Sequence, residues 1–296
     1  MHPARRTVTL PWGDVSLLEW LPAEPARDDA SVVVLLHGGG LDSAWLSWGG
    51  VGGALAEAGH RVLAPDLPGY GESTKAPWAA TQQALLACVE QVVDALGLER
   101  CALGGLSMGG GLAIGHALAH SERVRGLMLL GSYGLAPTLV EGRWSAPAQL
   151  LAWAATRAGV LPVITRATTR TPTAVERSLR PVLRSAAQRT PELIGAVHEA
   201  ARAGTSIDVF GEWQRSEVGA RRQTTAYADR LGELAMPALV VHGALDAGVP
   251  AAVARRAAAA MPQAELLVVP DAAHWVQRDR PEVVVPAMRA FLDGLR

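Results

Sequence analysis

Cysteine and lysine are almost absent from this chain. Its 296 residues include two cysteines, Cys88 and Cys101, and a single lysine, Lys75. The cysteines lie in neither a CxxC motif nor a Cys/His cluster, so we expect two reduced thiols rather than a disulfide framework or a zinc site. The formal net charge is −1. With no basic tail or basic aromatic patch, this balance argues against nucleic-acid binding.

Long hydrophobic runs are also absent, although 49% of the residues are hydrophobic. No uninterrupted apolar run approaches the ~18 residues that a membrane-spanning helix needs. Residues 1–30 mix charged side chains with short apolar pieces, unlike a signal peptide. We therefore expect a cytoplasmic protein with a large buried core and no membrane partner.

Short apolar runs alternate with longer helical patterns along most of the chain. This alternation predicts an α/β fold, with a mostly parallel twisted sheet of about eight strands flanked by helices. The predicted strands are residues 6–11, 14–20, 31–37, 61–65, 100–105, 124–131, 236–243 and 264–270. The predicted helices are residues 43–58, 81–96, 108–120, 250–260 and 281–295.

Residues 133–232 interrupt this alternation. Strand-like apolar runs disappear there, and helical stretches broken by prolines take their place. Such an interruption is typical of an inserted subdomain. We predict a core domain formed by residues 1–132 and 233–296, with residues 133–232 forming a separate helical subdomain.

The segment Gly105-Leu106-Ser107-Met108-Gly109 contains the Gly-x-Ser-x-Gly pattern. The pattern alone is weak evidence, but here it follows a predicted strand and begins a predicted helix. That setting is the one a nucleophile elbow requires, because the tight turn lifts the serine hydroxyl clear of the sheet. The alternative is a glycine-rich helix start used only for packing. We predict that Ser107 is a catalytic nucleophile.

A serine hydroxyl needs a general base that a carboxylate orients. Asp246 follows the predicted strand 236–243 and His274 follows the strand 264–270, so both should lie at the carboxyl edge of the sheet. We predict Asp246 and His274 as the acid and base. Asp271 lies too close to His274 in sequence to orient it, and His37 and His242 fit structural roles better.

Acyl chemistry also needs N–H donors that face the developing oxyanion. The backbone N–H of Met108 follows the nucleophile at a helix N-terminus. The second donor should come from the glycine loop after strand 31–37, where backbone can approach a ligand closely. We predict Gly39 for this role, with Gly40 as the alternative.

Taken together, these motifs resemble the α/β-hydrolase superfamily, in the branch that carries a serine nucleophile and a helical cap. The resemblance implies a Ser–His–Asp triad, no cofactor or metal, and a cap at residues 133–232. It covers nearly the whole chain and says little about substrate. It rests on His37-Gly38-Gly39-Gly40, Asp66-Leu67-Pro68-Gly69-Tyr70-Gly71-Glu72-Ser73, Gly105-Leu106-Ser107-Met108-Gly109-Gly110, Gly243-Ala244-Leu245-Asp246 and Asp271-Ala272-Ala273-His274-Trp275.

Differences from individual branches narrow the expected reaction. Haloalkane dehalogenases and most epoxide hydrolases have aspartate where this chain has Ser107. Meta-cleavage-product hydrolases, which break carbon–carbon bonds in vinylogous diketones, resemble the chain at Ser107 and at His274-Trp275. They usually have Pro-Gly where this chain has Leu41-Asp42, and often Asn where it has Leu106. We therefore expect ester hydrolysis, with carbon–carbon hydrolysis as the alternative and a non-turnover ligand-binding relative as a third reading.

The expected partner is a small-molecule ester, and the chain is expected to be a monomer or a homodimer. Aromatic residues of the helical subdomain are candidates for the pocket lining, Tyr227 among them, although ordinary packing between its helices explains each of them as well. The residues predicted to contact substrate are Gly38, Gly40, Trp144, Trp153, Phe210, Trp213 and Trp275.

Overall fold

A computed structural model describes residues 1–22, 32–140 and 142–295. Within these residues eight strands form one sheet in the order β1-β2-β4-β3-β5-β6-β7-β8. The strands are β1 (Ala4–Leu10), β2 (Gly13–Trp20), β3 (Val32–Leu36), β4 (Arg61–Pro65), β5 (Cys101–Leu106), β6 (Val124–Leu130), β7 (Ala238–Gly243) and β8 (Ala264–Val269). Ser31, the predicted start of β3, lies outside the described residues. The predicted mostly parallel sheet is confirmed, because only the β1–β2 and β2–β4 pairs are antiparallel.

Helices cover both faces of the sheet. They are α1 (Ala44–Glu57), α2 (Gln82–Ala95), α3 (Met108–Ala119), α4 (Ser145–Arg157), α5 (Val160–Thr168), α6 (Pro172–Leu179), α7 (Pro191–Ala203), α8 (Thr205–Glu217), α9 (Ala251–Ala260), α10 (Val276–Asp279) and α11 (Pro281–Gly294). Apolar residues of α2, α3 and α9 form the core on one face, and those of α1, α10 and α11 form the core on the other. Burial on both faces explains why β5 is apolar throughout. No helix in the described parts of the chain is long and apolar enough to cross a membrane.

The parallel register brings the loops after six strands, β3 to β8, to one edge of the sheet. Leu36 at the end of β3 is paired with Gly105, and Leu106 is paired with Leu130 of β6. Leu130 is in turn paired with Val241 of β7, which continues to β8. Side chains from segments far apart in sequence can therefore meet at this edge.

Helices α4 to α8 fill the chain between β6 and β7. Two prolines that read as breaks in the sequence instead begin helices, since Pro172 and Pro191 occupy the first positions of α6 and α7. Proline is favoured there because its missing N–H has no intrahelical partner to lose. Thr171 and Thr190 cap these helices through their side-chain oxygens. Helices α7 and α8 pack on α1 and α2 of the rest of the molecule.

Both cysteines are free and buried. Burial raises the pKa of Cys88 to about 12 and that of Cys101 to about 11. A thiol held protonated in this way is a poor nucleophile at neutral pH. These residues therefore serve packing.

His116 on α3 is expected to make the protein less stable in mild acid. Its side chain is buried, and burial, helped by the nearby His120 and Arg123, lowers its pKa from 6.5 to about 4. The unfolded chain therefore binds the proton first as the pH falls. The free energy of unfolding should decrease between pH 6.5 and about 4, by up to about 3 kcal/mol.

Urea titrations across this pH range measure the effect. The His116→Gln variant should lose this part of the pH dependence, whereas His120→Gln, which changes a partly exposed histidine of the same helix end, should keep most of it. Equal pH slopes for His116→Gln and the parent protein would contradict the assignment.

Candidate active site

Ser107 occupies a strained turn between β5 and α3. Its φ and ψ are 51° and −117°, and it is the only non-glycine residue with positive φ in the described parts of the chain. A Cβ at Gly105 would overlap the Gly109 carbonyl, and a Cβ at Gly109 would overlap the Leu36 carbonyl. The two glycines of the motif are therefore required by backbone packing. Strain of this kind is typical of functional sites.

Asp246 and His274 form a short hydrogen bond at the same edge of the sheet. His274 Nδ1 lies 2.7 Å from Asp246 Oδ2, and the N–H groups of Gly248 and Val249 donate to Asp246 Oδ1 at 2.8 and 3.0 Å. Burial alone would raise the pKa of Asp246, but the His274 contact and the Val249 N–H outweigh it and hold the pKa below its usual value. Asp246 is thus ionised and accepts the Nδ1 proton, which leaves His274 Nε2 unprotonated in the neutral ring.

Gly131 lies between this pair and the serine turn. Leu130, the preceding residue, accepts the Ser107 N–H at 2.9 Å, and the Gly131 N–H donates to Val241 at 3.1 Å. A Cβ at Gly131 would lie 3.3 Å from His274 Nδ1 and 3.2 Å from the His274 carbonyl. Within the described residues Ser107 Oγ and His274 Nε2 are not joined by a hydrogen bond. A proton transfer between them would require the two side chains to come within hydrogen-bond distance.

Gly131→Ala is expected to lower kcat by about tenfold, because the added methyl would displace the imidazole by a few tenths of an ångström and catalysis is sensitive to such misplacement. The matched control is Gly97→Ala. Gly97 has a similar φ of +65°, against +49° for Gly131, but a Cβ there would meet open space. Both variants should lose stability from backbone strain, while only Gly131→Ala should lose activity. Equal activity in the two variants would show that Gly131 does not position His274.

Glycines 38–40 form a loop whose shape is held by buried polar groups. Asp42 accepts the Gly38 N–H at 2.8 Å and the Ser47 hydroxyl at 2.7 Å, and its burial raises the pKa of this carboxyl. The Gly40 N–H lies beside the Tyr70 hydroxyl. The Gly39 N–H has no hydrogen-bond partner among the described residues. It is the loop N–H most free to bind a ligand oxygen, together with that of Met108 at the start of α3.

His37 and His242 both have structural contacts. His37 Nε2 accepts the Leu67 N–H at 2.9 Å, so its Nδ1 donates to the Gly38 carbonyl at 2.7 Å. His242 Nε2 lies 2.8 Å from the Val249 carbonyl, and burial lowers the pKa of this histidine, which keeps the ring neutral. His242 Nε2 is also 3.6 Å from Asp246 Oδ2, too long for a hydrogen bond.

Asp66 begins one of the motifs on which the family resemblance rests, but no role was predicted for its side chain. Its side chain accepts the Ala44 N–H at 2.8 Å and those of Glu72 and Arg5 at 3.3 Å. These bonds join the start of α1 to the turn after β4, next to the glycine loop. The sequence signal was a carboxylate directly after a buried strand and before a turn rich in glycine.

Phe210 of α8 lies directly over the glycine loop. A Cβ at Gly39 would overlap its ring, and the ring stacks on Trp213 with 5.5 Å between centroids. Trp213 is fixed by its Nε1–H, which donates to Gln82 at 3.0 Å, and by edge contact with Tyr133. A cavity of about 90 Å³ beside Phe210 is lined by Gly40, Leu161, Pro162, Thr165, Ile207 and Gln214.

The other aromatic candidates lie elsewhere. Trp144 was expected to contact substrate but is 62% exposed, because it precedes α4 on the outer surface and lies under the Arg143 guanidinium. Trp153 is half-buried on α4. Tyr227 packs against Gly134 and Gly115. Trp275 follows His274 but is buried in the core, where its backbone N–H donates to the Val182 carbonyl at 2.9 Å.

Metal-binding clusters are missing from the described residues, where no group of three histidine, cysteine or carboxylate side chains could hold an ion. The chemistry that this arrangement can perform uses a strained serine, a carboxylate–imidazole pair and free N–H donors. That combination suits nucleophilic attack on a carbonyl carbon.

Residues 31–281 match the model of a protein family whose description is the α/β-hydrolase fold. Since the match covers most of the chain, this protein belongs to the α/β-hydrolase family, which confirms the resemblance seen in its motifs.

Named relatives divide among several activities. The chain is 33% identical over 277 residues to a dihydrolipoyllysine-residue acetyltransferase component of an acetoin cleaving system from Pseudomonas putida, covering 93% of this chain and 66% of that protein. It is 32% identical to a 2-hydroxy-6-oxononadienedioate/2-hydroxy-6-oxononatrienedioate hydrolase from Paraburkholderia phymatum, and the match covers 84% of this chain and 83% of that protein. The solved structure of a thermophilic esterase from Thermogutta terrifontis is 26% identical with a TM-score of 0.67, covering 100% and 99%.

Proposed function

We propose that this protein is a serine hydrolase that cleaves the carbon–carbon bond beside a ketone in an unsaturated 2-hydroxy-6-oxo acid. The observation that carries the chemistry is the strained Ser107 beside the hydrogen-bonded Asp246–His274 pair. The choice of bond is supported by the relative from Paraburkholderia phymatum, which matches over most of both chains and is named for such a substrate. This proposal replaces ester hydrolysis, the first expectation from sequence, with its stated alternative.

In the proposed reaction, His274 Nε2 takes the Ser107 proton as Oγ bonds to the ketone carbon. The N–H groups of Gly39 and Met108 hold the resulting oxyanion. The substrate reacts as its 2,6-dioxo tautomer, formed when the 2-hydroxyl proton moves to the chain carbon beside the ketone. The bond from the former carbonyl carbon to that carbon then breaks as the oxyanion re-forms the C=O bond. The electron pair passes through the C=C bond to the 2-oxo oxygen, which receives the proton from His274 and leaves as the 2-hydroxydienoate. Water, deprotonated by the same imidazole, releases the acyl group from Ser107.

We further propose that residues 133–232 act as a cap over this site. Phe210 supports this role, because it is the residue of the helical segment that packs on the glycine loop. Its ring would limit the size of the group next to the attacked carbonyl. Trp213 would hold that ring in place.

Ester hydrolysis is the second candidate, and the 26% identical esterase favours it. The same serine, base and N–H donors serve it, with an alkoxide leaving in place of the dienoate. The two reactions differ in what the pocket must hold, since the dienoate fragment carries a carboxylate and conjugated chain.

A substrate comparison distinguishes these candidates. Purified protein is given a coloured 2-hydroxy-6-oxo dienoate and a panel of p-nitrophenyl esters, and kcat/KM is measured for each. A higher kcat/KM for bleaching of the dienoate supports the proposal. A higher value for an ester supports the second candidate. Tight binding of either compound without turnover would point to a ligand-binding protein and contradict both.

A further inference from the structure

Large apolar side chains are exposed mainly on one segment of the helical insertion. Of the fourteen that are exposed among the described residues, nine lie within residues 139–164. Scattered exposed apolar residues are normal, but a cluster of this size marks an interaction surface. The nine are Leu139, Val140, Trp144, Leu150, Leu151, Val160, Leu161, Val163 and Ile164.

Helix α4 presents its apolar side outward. Leu150 and Leu151 are 53% and 71% exposed, and the exposed Ala154 continues the same face. The opposite face carries the polar, fully buried Gln149, which accepts the Leu139 N–H at 3.1 Å and donates to the Gly219 carbonyl at 2.8 Å. This arrangement inverts the usual amphipathic pattern of a surface helix. The buried amide bonds fix α4 in that orientation.

Helix α5 continues the same surface. Val160, Val163, Ile164 and Ala167 recur at the i, i+3, i+4 and i+7 positions of one helical face, and all four are exposed. The described side chains include no buried residue of α5. Its other side, with Pro162, lines the cavity beside Phe210. The exposed stripe is thus one helix away from the glycine loop.

The charge around these two helices is positive. Residues 139–170 contain one acidic residue, Glu141, and four arginines at 143, 157, 166 and 170. Arg166 is paired with Asp208 at 2.6 Å. The other three arginines are exposed and form no ion pair with any residue that the structure describes. Leucine, valine and tryptophan beside exposed arginines are typical of a helix that lies in a membrane interface.

We propose that the surface formed by α4 and α5 docks on an anionic lipid surface. Its apolar stripes would enter the headgroup boundary, and the unpaired arginines would contact lipid phosphates. A second copy of the chain is a poorer occupant, because pairing of the two surfaces would bring arginines of like charge together. The sequence analysis expected no membrane partner because the chain has no apolar run long enough to span a bilayer. A peripheral contact with a lipid surface needs no such run. The proposal stands independently of the proposed reaction.

Vesicle co-sedimentation tests this proposal. The protein is mixed with vesicles of phosphatidylcholine, with or without phosphatidylglycerol, at low and high salt. We expect binding to the anionic vesicles that weakens with salt. The Leu151→Asp/Val163→Asp double variant should bind at least about tenfold more weakly. Arg143→Gln and Arg157→Gln should each weaken binding about fivefold.

The control is Val283→Asp, which places one carboxylate on a 40% exposed valine of α11, outside the surface formed by α4 and α5. It should bind like the parent protein, and thermal melting and esterase or dienoate turnover should be unchanged in all variants. Equal loss of binding in Val283→Asp and in the double variant would overturn the proposal. Absence of binding to anionic vesicles would also overturn it. So would a finding by light scattering that the parent protein is a dimer and the double variant a monomer.

Discussion

Replacing Ser107 with alanine is expected to lower kcat by about 10⁶-fold. The reason is that in the proposed reaction the hydroxyl forms the covalent bond to the attacked carbonyl. The buried cysteines are held protonated, and both lie away from the turn at Ser107. Steady-state turnover of the dienoate and of the best ester measures the loss. Covalent labelling by a fluorophosphonate should disappear with it.

Ser132→Ala is the matched control for this experiment. Ser132 is also buried and follows Gly131. The substitution therefore removes a hydroxyl from the same region and leaves Ser107 in place. Its turnover and labelling should remain within a few-fold of the parent protein. Labelling that survives in Ser107→Ala, or is lost equally in Ser132→Ala, would show that the nucleophile lies elsewhere.

The sheet was predictable because strands buried on both faces leave a clear signal. The run at residues 100–105 was displaced by only one residue from the observed Cys101–Leu106. Parallel strands end at the same edge, so Asp246 and His274 could be placed together from sequence alone. Their 2.7 Å contact follows from that shared edge.

Other features depend on contacts that no local pattern records. In the sequence, Asp42 was noted only as a difference from meta-cleavage-product hydrolases. In the structure its carboxylate accepts the Gly38 N–H. Gly131 belongs to none of the sequence motifs, yet the absence of a side chain there makes room for His274. Phe210 meets Gly39 across a separation of 171 positions, and Trp144 could not be recognised as a surface residue until its exposure was known. Side-chain orientation on α4 likewise follows from the bonds of buried Gln149.

Asp246→Asn is expected to lower kcat by about 10⁴-fold while leaving the fold intact. The carboxylate accepts the Nδ1 proton of His274, and in the proposed reaction it stabilises the imidazolium that forms during attack. An asparagine amide can instead donate to Nδ1, which places the proton on Nε2 and leaves no base facing Ser107.

The lowered pKa of Asp246 also implies a stability contribution that is present at neutral pH and is lost as the pH falls through that pKa. The variant should therefore be less stable at pH 7, with a difference that shrinks in acid.

Asp271→Asn provides the comparison, since Asp271 is the other carboxylate close to His274 in sequence. Its side chain is 76% exposed and pairs with Arg280 at 3.3 Å, so an amide there should change kcat by less than about twofold. Measuring kcat against pH for both variants separates a catalytic role from a structural one. If Asp246 orients the base, Asp246→Asn loses activity at every pH where the parent is active, whereas Asp271→Asn keeps the parent profile. The reverse pattern would transfer the role to Asp271, and equal modest losses would mean that His274 is oriented by backbone contacts alone.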